Sequence, residues 1–73
     1  MSKQLYQGVK VRTAFELTKA GDLCAPTEEN RRARKPGLDG IVGSCIPGLP
    51  ERYWVEHRDG SFGAYLPNEL TIL

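Results

Sequence analysis

Apolar and polar residues alternate along Val9-Lys10-Val11-Arg12-Thr13, the two-residue period of a strand with one face buried. Leu38 to Cys45 holds a second strand: Asp39-Gly40 bends the chain, and Ile41-Val42 are β-branched and apolar. Gly43 within it marks a bulge or the close approach of another backbone. The clearest pair follows. Tyr53-Trp54-Val55-Glu56-His57-Arg58 and Ser61-Phe62-Gly63-Ala64-Tyr65-Leu66 are both rich in strand formers, with Asp59-Gly60 between them. Asp-Gly in that place predicts a hairpin with a two-residue type I′ turn, which needs positive φ at both central residues. Pro67-Asn68-Glu69 then suits one turn of 3₁₀ helix, and Leu70-Thr71-Ile72-Leu73 reads as a closing strand.

That turn fixes an expected register. Val55 pairs with Ala64, Trp54 with Tyr65 and His57 with Phe62. Because side chains alternate across a strand, Tyr53, Val55, Phe62, Ala64 and Leu66 fall on the core face. Trp54 and Tyr65 form a cross-strand aromatic pair on the opposite face, flanked by Glu56 and Arg58.

Residues 14–37 are less regular. Phe15 and Leu17 alternate with polar neighbours, and Lys19-Ala20-Gly21-Asp22 turns the chain back through Leu23. Thr27 caps a short helical turn beginning at Glu28-Glu29. With Ala33 its only apolar residue, that turn is expected to bury nothing, and the loop to be partly mobile. Eight glycines and five prolines rule against long helices and favour many short strands. A chain of 73 residues makes one domain, spanning 1–73, with a small core. The expected fold is all-β: a five-stranded SH3-like barrel with a long irregular loop between its first two strands.

Net charge is +1, which excludes a nucleic-acid binder driven by overall charge. Two cysteines are too few for a disulfide-stapled miniprotein, and Met1 to Gly8 lacks the apolar stretch of a leader. No apolar run approaches the roughly 20 residues of a membrane helix. The expectation is a cytoplasmic protein with free thiols and no membrane contact.

Gly8-Val9-Lys10-Val11-Arg12, Gly40-Ile41-Val42-Gly43, the hairpin from Tyr53 to Leu66, and Glu69-Leu70 together resemble the plasmid-borne type II dihydrofolate reductases. They resemble the small-barrel subunit of photosystem I more loosely. The resemblance covers residues 8–12 and 38–73 and implies a small-barrel fold. In the reductases a Val-Gln-Ile-Tyr segment lines a central pore, and its Gln and Ile meet cofactor and substrate. The same places here hold Phe62, Gly63, Ala64 and Tyr65, of which Tyr65 alone matches. The resemblance therefore implies the fold more than the reaction.

Two surfaces stand out as candidates. Trp54 and Tyr65, with Arg58 beside them, offer aromatic side chains of the kind enriched at protein interfaces. Arg31, Arg32, Arg34 and Lys35 form a basic loop that suits phosphates or an acidic partner, or is simply solvated. Cys24, Cys45 and His57 lack zinc-ligand spacing, so no metal is expected, and Cys45 beside Ile46 reads as a small core residue. Neither a nucleophile constellation nor a glycine-rich phosphate loop is present, so no catalytic residue or cofactor is expected. The leading expectation is a non-enzymatic protein-interaction module, monomeric or a small homo-oligomer, using the Trp54/Tyr65 face or the 14–37 loop. A nucleic-acid-binding barrel using the basic loop is the alternative. An oligomeric enzyme resembling the reductases comes third.

Overall fold

The computed structural model describes residues 5–48 and 50–73; residues 1–4, which carry half of the leader reading, lie outside the described residues. The fold is all-β, as the alternation predicts. Strands β1 (Lys10–Thr13), β2 (Asp39–Ile46), β3 (Arg52–His57), β4 (Phe62–Tyr65) and β5 (Leu70–Ile72) form one antiparallel sheet in the order β4-β3-β2-β1-β5. A 3₁₀ turn, Pro67–Glu69, leads into β5. Among the described residues, no helix is long and apolar enough to cross a membrane. The core gathers Leu5, Val11, Val42, Tyr53, Val55, Tyr65 and Leu70, with Val9 and Leu17 packed against it.

The segment between β1 and β2 is not structureless. It holds two helices of five residues, α1 (Lys19–Leu23) and α2 (Glu28–Arg32). Thr18 and Thr27 cap them, each hydroxyl oxygen accepting the backbone N–H three residues on. Helices this short do not persist alone, so contacts with the sheet must hold them. Within α2 itself no residue is buried, as expected; burial begins just beyond it, at its C-cap Ala33 and at Arg34.

Arg34 is the centre of this segment. Its side chain and that of Glu69 are each 1% exposed, and they meet through two hydrogen bonds, Nη1 to Oε1 at 2.8 Å and Nη2 to Oε2 at 2.7 Å. Arg34 also donates to the Asp22 carboxylate, the Ala64 carbonyl and the Thr18 carbonyl, so all five guanidinium N–H groups are used. Glu69 further accepts from the backbone N–H groups of Thr18 and Leu66 and from the Thr18 hydroxyl. Burial alone would raise the Glu69 carboxyl, but the bonds from Arg34, Leu66 and Thr18 outweigh it and hold the group below its ordinary value. Helix α1 passes directly over the pair. A Cβ on Gly21 would lie 2.5 Å from Glu69 Oε1 and 2.6 Å from the guanidinium nitrogens. Any side chain there would displace the ion pair.

The same segment covers an edge of the sheet. β4 is an edge strand, and its pairing with β3 turns the carbonyls of Phe62 and Ala64 away from the ladder. Asn30 Nδ2 donates to the first at 3.1 Å and Arg34 Nη1 to the second at 2.8 Å. Side chains from and just beyond α2 thus occupy the acceptors that would otherwise recruit another strand.

The hairpin register departs from the expected one by a single residue. Tyr53 pairs with Tyr65, Trp54 with Ala64, Val55 with Gly63 and Glu56 with Phe62. The connection is a three-residue loop, Arg58-Asp59-Gly60, in which only Gly60 has positive φ (87°). The cause is the Asp59 carboxylate. It accepts the Ser61 N–H at 3.0 Å and the Ser61 hydroxyl at 2.7 Å, which holds Asp59 in an ordinary turn conformation and leaves Gly60 to make the bulge. A one-residue slip exchanges the faces of a strand. Tyr65 therefore lies in the core at 0% exposure, and Phe62 points outward.

Replacing Arg34 by Ala leaves Glu69 charged and unpaired inside the protein. That loss is expected to cost about 3–5 kcal/mol, a large share of the roughly 5–15 kcal/mol of a typical domain. Arg31→Ala and Arg32→Ala remove exposed side chains and should stay within about 0.5 kcal/mol of the parent. Urea unfolding of the three variants measures the difference; equal midpoints would contradict the assignment.

Candidate functional site

The outward face of the sheet carries the chain's one tryptophan. Trp54 is half-buried, and Phe62, diagonal to it on β4, is 43% exposed. On the other side of Trp54 β2 bulges: Val42 faces Val55 and Cys45 faces Tyr53, so Gly43 and Ser44 together face Trp54. A Cβ on Gly43 would sit 3.5 Å from Trp54 Cβ and 3.7 Å from Phe62 Cε1, so the glycine lies at the base of Trp54 and against the edge of the Phe62 ring. Gln7, Asn30, Ser44 and Glu56 complete a shallow groove of about 540 Å³. Asn30 is placed by its bonds to the Phe62 carbonyl and the Thr27 hydroxyl.

The expected Trp54/Tyr65 surface is thus a Trp54/Phe62 surface. Tyr65 is committed to the interior. Its hydroxyl oxygen accepts the Lys35 N–H at 2.8 Å and lies 2.6 Å from His57 Nε2, while the Arg34 guanidinium stacks 5.2 Å above its ring centre. The hydroxyl and Nε2 share one hydrogen, whose direction is set by the imidazole tautomer. Nδ1 is buried without a partner of good hydrogen-bonding geometry. Burial raises the Tyr65 phenol to about 12.

The basic run is divided in the same way. Arg34 is inside. Arg31 and Arg32 are exposed on α2 and each pairs with Glu28, while Lys35 reaches Asp59 at 3.4 Å. Four cations that look contiguous in sequence do not form one patch. Arg58 instead joins a different set. It lies with Arg12, Lys35, Asp39, Asp59 and Phe15 around a hollow of about 690 Å³. Phe15 is 84% exposed, its ring resting on Gly37. Arg12 is tied to Asp39 at 2.7 Å and Lys35 to Asp59, exposed pairs that contribute little stability. The loop bonds from Ser61 hold the Asp59 carboxyl at about 2. Sequence reasoning missed Phe62, Gly43 and Phe15 as surface residues; the Asp-Ser spacing at 59 and 61 was the signal for the first.

Cys24 is half-buried and Cys45 exposed, both as free thiols. The core placement of Cys45 is overturned: beyond the bulge the end of β2 twists, and Ile46 is buried in its stead. Among the described residues, no three His, Cys, Asp or Glu side chains converge as a metal would require. Gly63 faces inward opposite Val55, and a Cβ there would come within 2.8 Å of the Tyr65 ring. No longer side chain, glutamine included, can stand at that position.

Burial pushes the His57 imidazole below its ordinary value of 6.5, and the Lys35 charge adds to the shift against a weaker pull from the Asp39 backbone and Asp59. Protonation therefore favours the unfolded chain. The stability contributed by neutral His57 is complete above pH about 6.5 and is lost as pH falls through the lower folded-state value. Proton NMR of the imidazole should place its titration below 6.5; a midpoint above that would contradict the buried Tyr65–His57 contact.

Compared with protein-family models, with curated proteins and with solved structures, the chain matches none.

Proposed function

We propose that this domain is a non-enzymatic protein-interaction module whose contact surface is the outward sheet face centred on Trp54 and Phe62. One observation carries the reading: a half-exposed Trp54 and an exposed Phe62 share one sheet face beside Gly43, within a rim of Gln7, Asn30, Ser44 and Glu56. Aromatic anchors in a shallow pocket with a polar rim are the usual energetic centre of a protein interface. The face lies on strands, whose positions are fixed by the core behind them, so little ordering is needed on binding. The chain's one histidine is engaged with Tyr65 in the interior, and β4 carries glycine where the resembling reductases carry their glutamine. Both features favour binding over catalysis. Free thiols at Cys24 and Cys45 suit a reducing, cytoplasmic setting.

A second reading has its own observation. Phe15, almost fully exposed beside Arg12 and Arg58, has the make-up of a base-stacking platform with phosphate contacts. It ranks lower, because Asp39 and Asp59 offset two of the three cations around that hollow.

Affinity capture from the host followed by titration of the recovered partner separates the two. Under the first reading Trp54→Ala and Phe62→Ala each weaken binding about tenfold or more, the cost of losing an interface anchor. Binding then falls only modestly with salt. Under the second, random-sequence DNA or RNA binds with a steep salt dependence, and Phe15→Ala with Arg58→Ala abolishes it. Loss through Phe15 and Arg58 with no effect at Trp54 would overturn the first reading.

A further inference from the structure

The groove between Trp54 and Phe62 has a chemical bias. Glu56 is its one ionisable lining residue. It stands directly across from Phe62 on β4 and two residues along β3 from Trp54, so all three side chains project from the same face. Glu56 is exposed, and among the described residues every cation in an ion pair is engaged elsewhere: Arg12 with Asp39, Arg31 and Arg32 with Glu28, Arg34 with Asp22 and Glu69, Lys35 with Asp59. On β2 its cross-strand neighbour is Ile41, which is apolar. The carboxylate is therefore in no ion pair among the described residues and stands on the face that carries both rings, while Lys10 and Arg58 share the adjoining hollow with it.

A purely apolar occupant would strip water from Glu56 and return nothing to it, a cost that works against binding. A phosphate would be repelled. A cation answers both parts of the site, since it pairs with the carboxylate while lying against the negative faces of the rings. Guanidinium fits best among biological cations: it is planar, stacks on aromatic rings and matches a carboxylate with two parallel N–H bonds. The amide oxygens of Gln7 and Asn30 and the Ser44 hydroxyl can accept from the remaining N–H groups at the rim. Gly43 makes the room. We propose that the groove is a receptor for an arginine side chain of the partner protein, held against Trp54 and Phe62 and anchored on Glu56. This assignment rests on the reading of that face as a protein-contact surface and adds the partner's chemistry to it.

The test uses Trp54 as its own reporter, since the chain has a single tryptophan. Tryptophan emission is followed while the intact protein is titrated with N-acetyl-Gly-Arg-Gly-amide, with its neutral citrulline isostere and with the lysine counterpart. The arginine peptide should give a saturable change. Citrulline, which keeps the planar shape but loses the charge, should bind about tenfold more weakly, roughly 1.4 kcal/mol, and lysine should fall between. Two variants keep the fold. Glu56→Gln alters an exposed side chain, and Gly43→Ala adds a methyl at ordinary contact distance, 3.5–3.7 Å, from its neighbours. Each should weaken the arginine peptide about tenfold, the first by removing charge and the second by filling the groove. Equal affinity for arginine and citrulline, an arginine peptide that leaves the emission unchanged, or lysine binding as tightly as arginine would each overturn the assignment. If partner capture still depends on Trp54 and Phe62 in that event, the contact-surface reading stands and only the guanidinium fails. If the peptide binds but the partner ignores Trp54, the contact-surface reading fails instead.

Discussion

A buried ion pair organises this small protein. Arg34 comes from the end of a polar segment and Glu69 from the turn before the last strand, and neither is exposed to water. Each would be costly alone, and together they are tolerable because every donor and acceptor is used. The network joins α1, the end of α2, β4 and the 3₁₀ turn at one point. Through it, 24 residues with little apolar content are folded against the sheet instead of hanging from it. With its Phe62 and Ala64 carbonyls filled by Asn30 and Arg34, the β4 edge has two fewer acceptors to offer another strand.

That face depends on a second, smaller device. The Asp59 carboxylate binds Ser61 twice, and a three-residue loop results where a two-residue turn was expected. One residue of slip sends Tyr65 into the core, where it holds Lys35 and His57, and sends Phe62 out beside Trp54. The bulge at Gly43 and Ser44 then leaves Gly43 bare beside Trp54 and against the edge of the Phe62 ring. Turn chemistry, register and groove are one chain of cause.

Most of the secondary structure was legible in the sequence because it is local. Alternation at 9–13, the β-branched pair Ile41-Val42, the strand formers around Asp59-Gly60, and Pro67 before β5 each signal an element without reference to the rest of the fold. Thr27 was readable as a cap for the same reason. What escaped was non-local or hung on one residue of count. Asp-Gly serves both turn types, and the choice between them lies in the Ser61 bonds, so the facing of Tyr65 and Phe62 was reversed. Arg34 looked like its neighbours Arg31 and Arg32, since nothing nearby reveals a carboxylate 35 positions later in the chain. Thr18 and Gly21, whose small side chains admit the pair, were the nearest local trace of it.

The most direct test of this account is amide hydrogen exchange at Thr18 and Lys35. Each N–H is bonded to a side chain of the sheet half of the molecule, Thr18 to Glu69 Oε2 at 2.8 Å and Lys35 to Tyr65 Oη at 2.8 Å. If the ion pair binds the segment into the same cooperative unit as the strands, both amides exchange as slowly as that of Val42 in the centre of β2. Fast exchange at Thr18 and Lys35 beside a protected Val42 would show that the segment opens on its own, and that the Arg34–Glu69 pair does not hold the fold together.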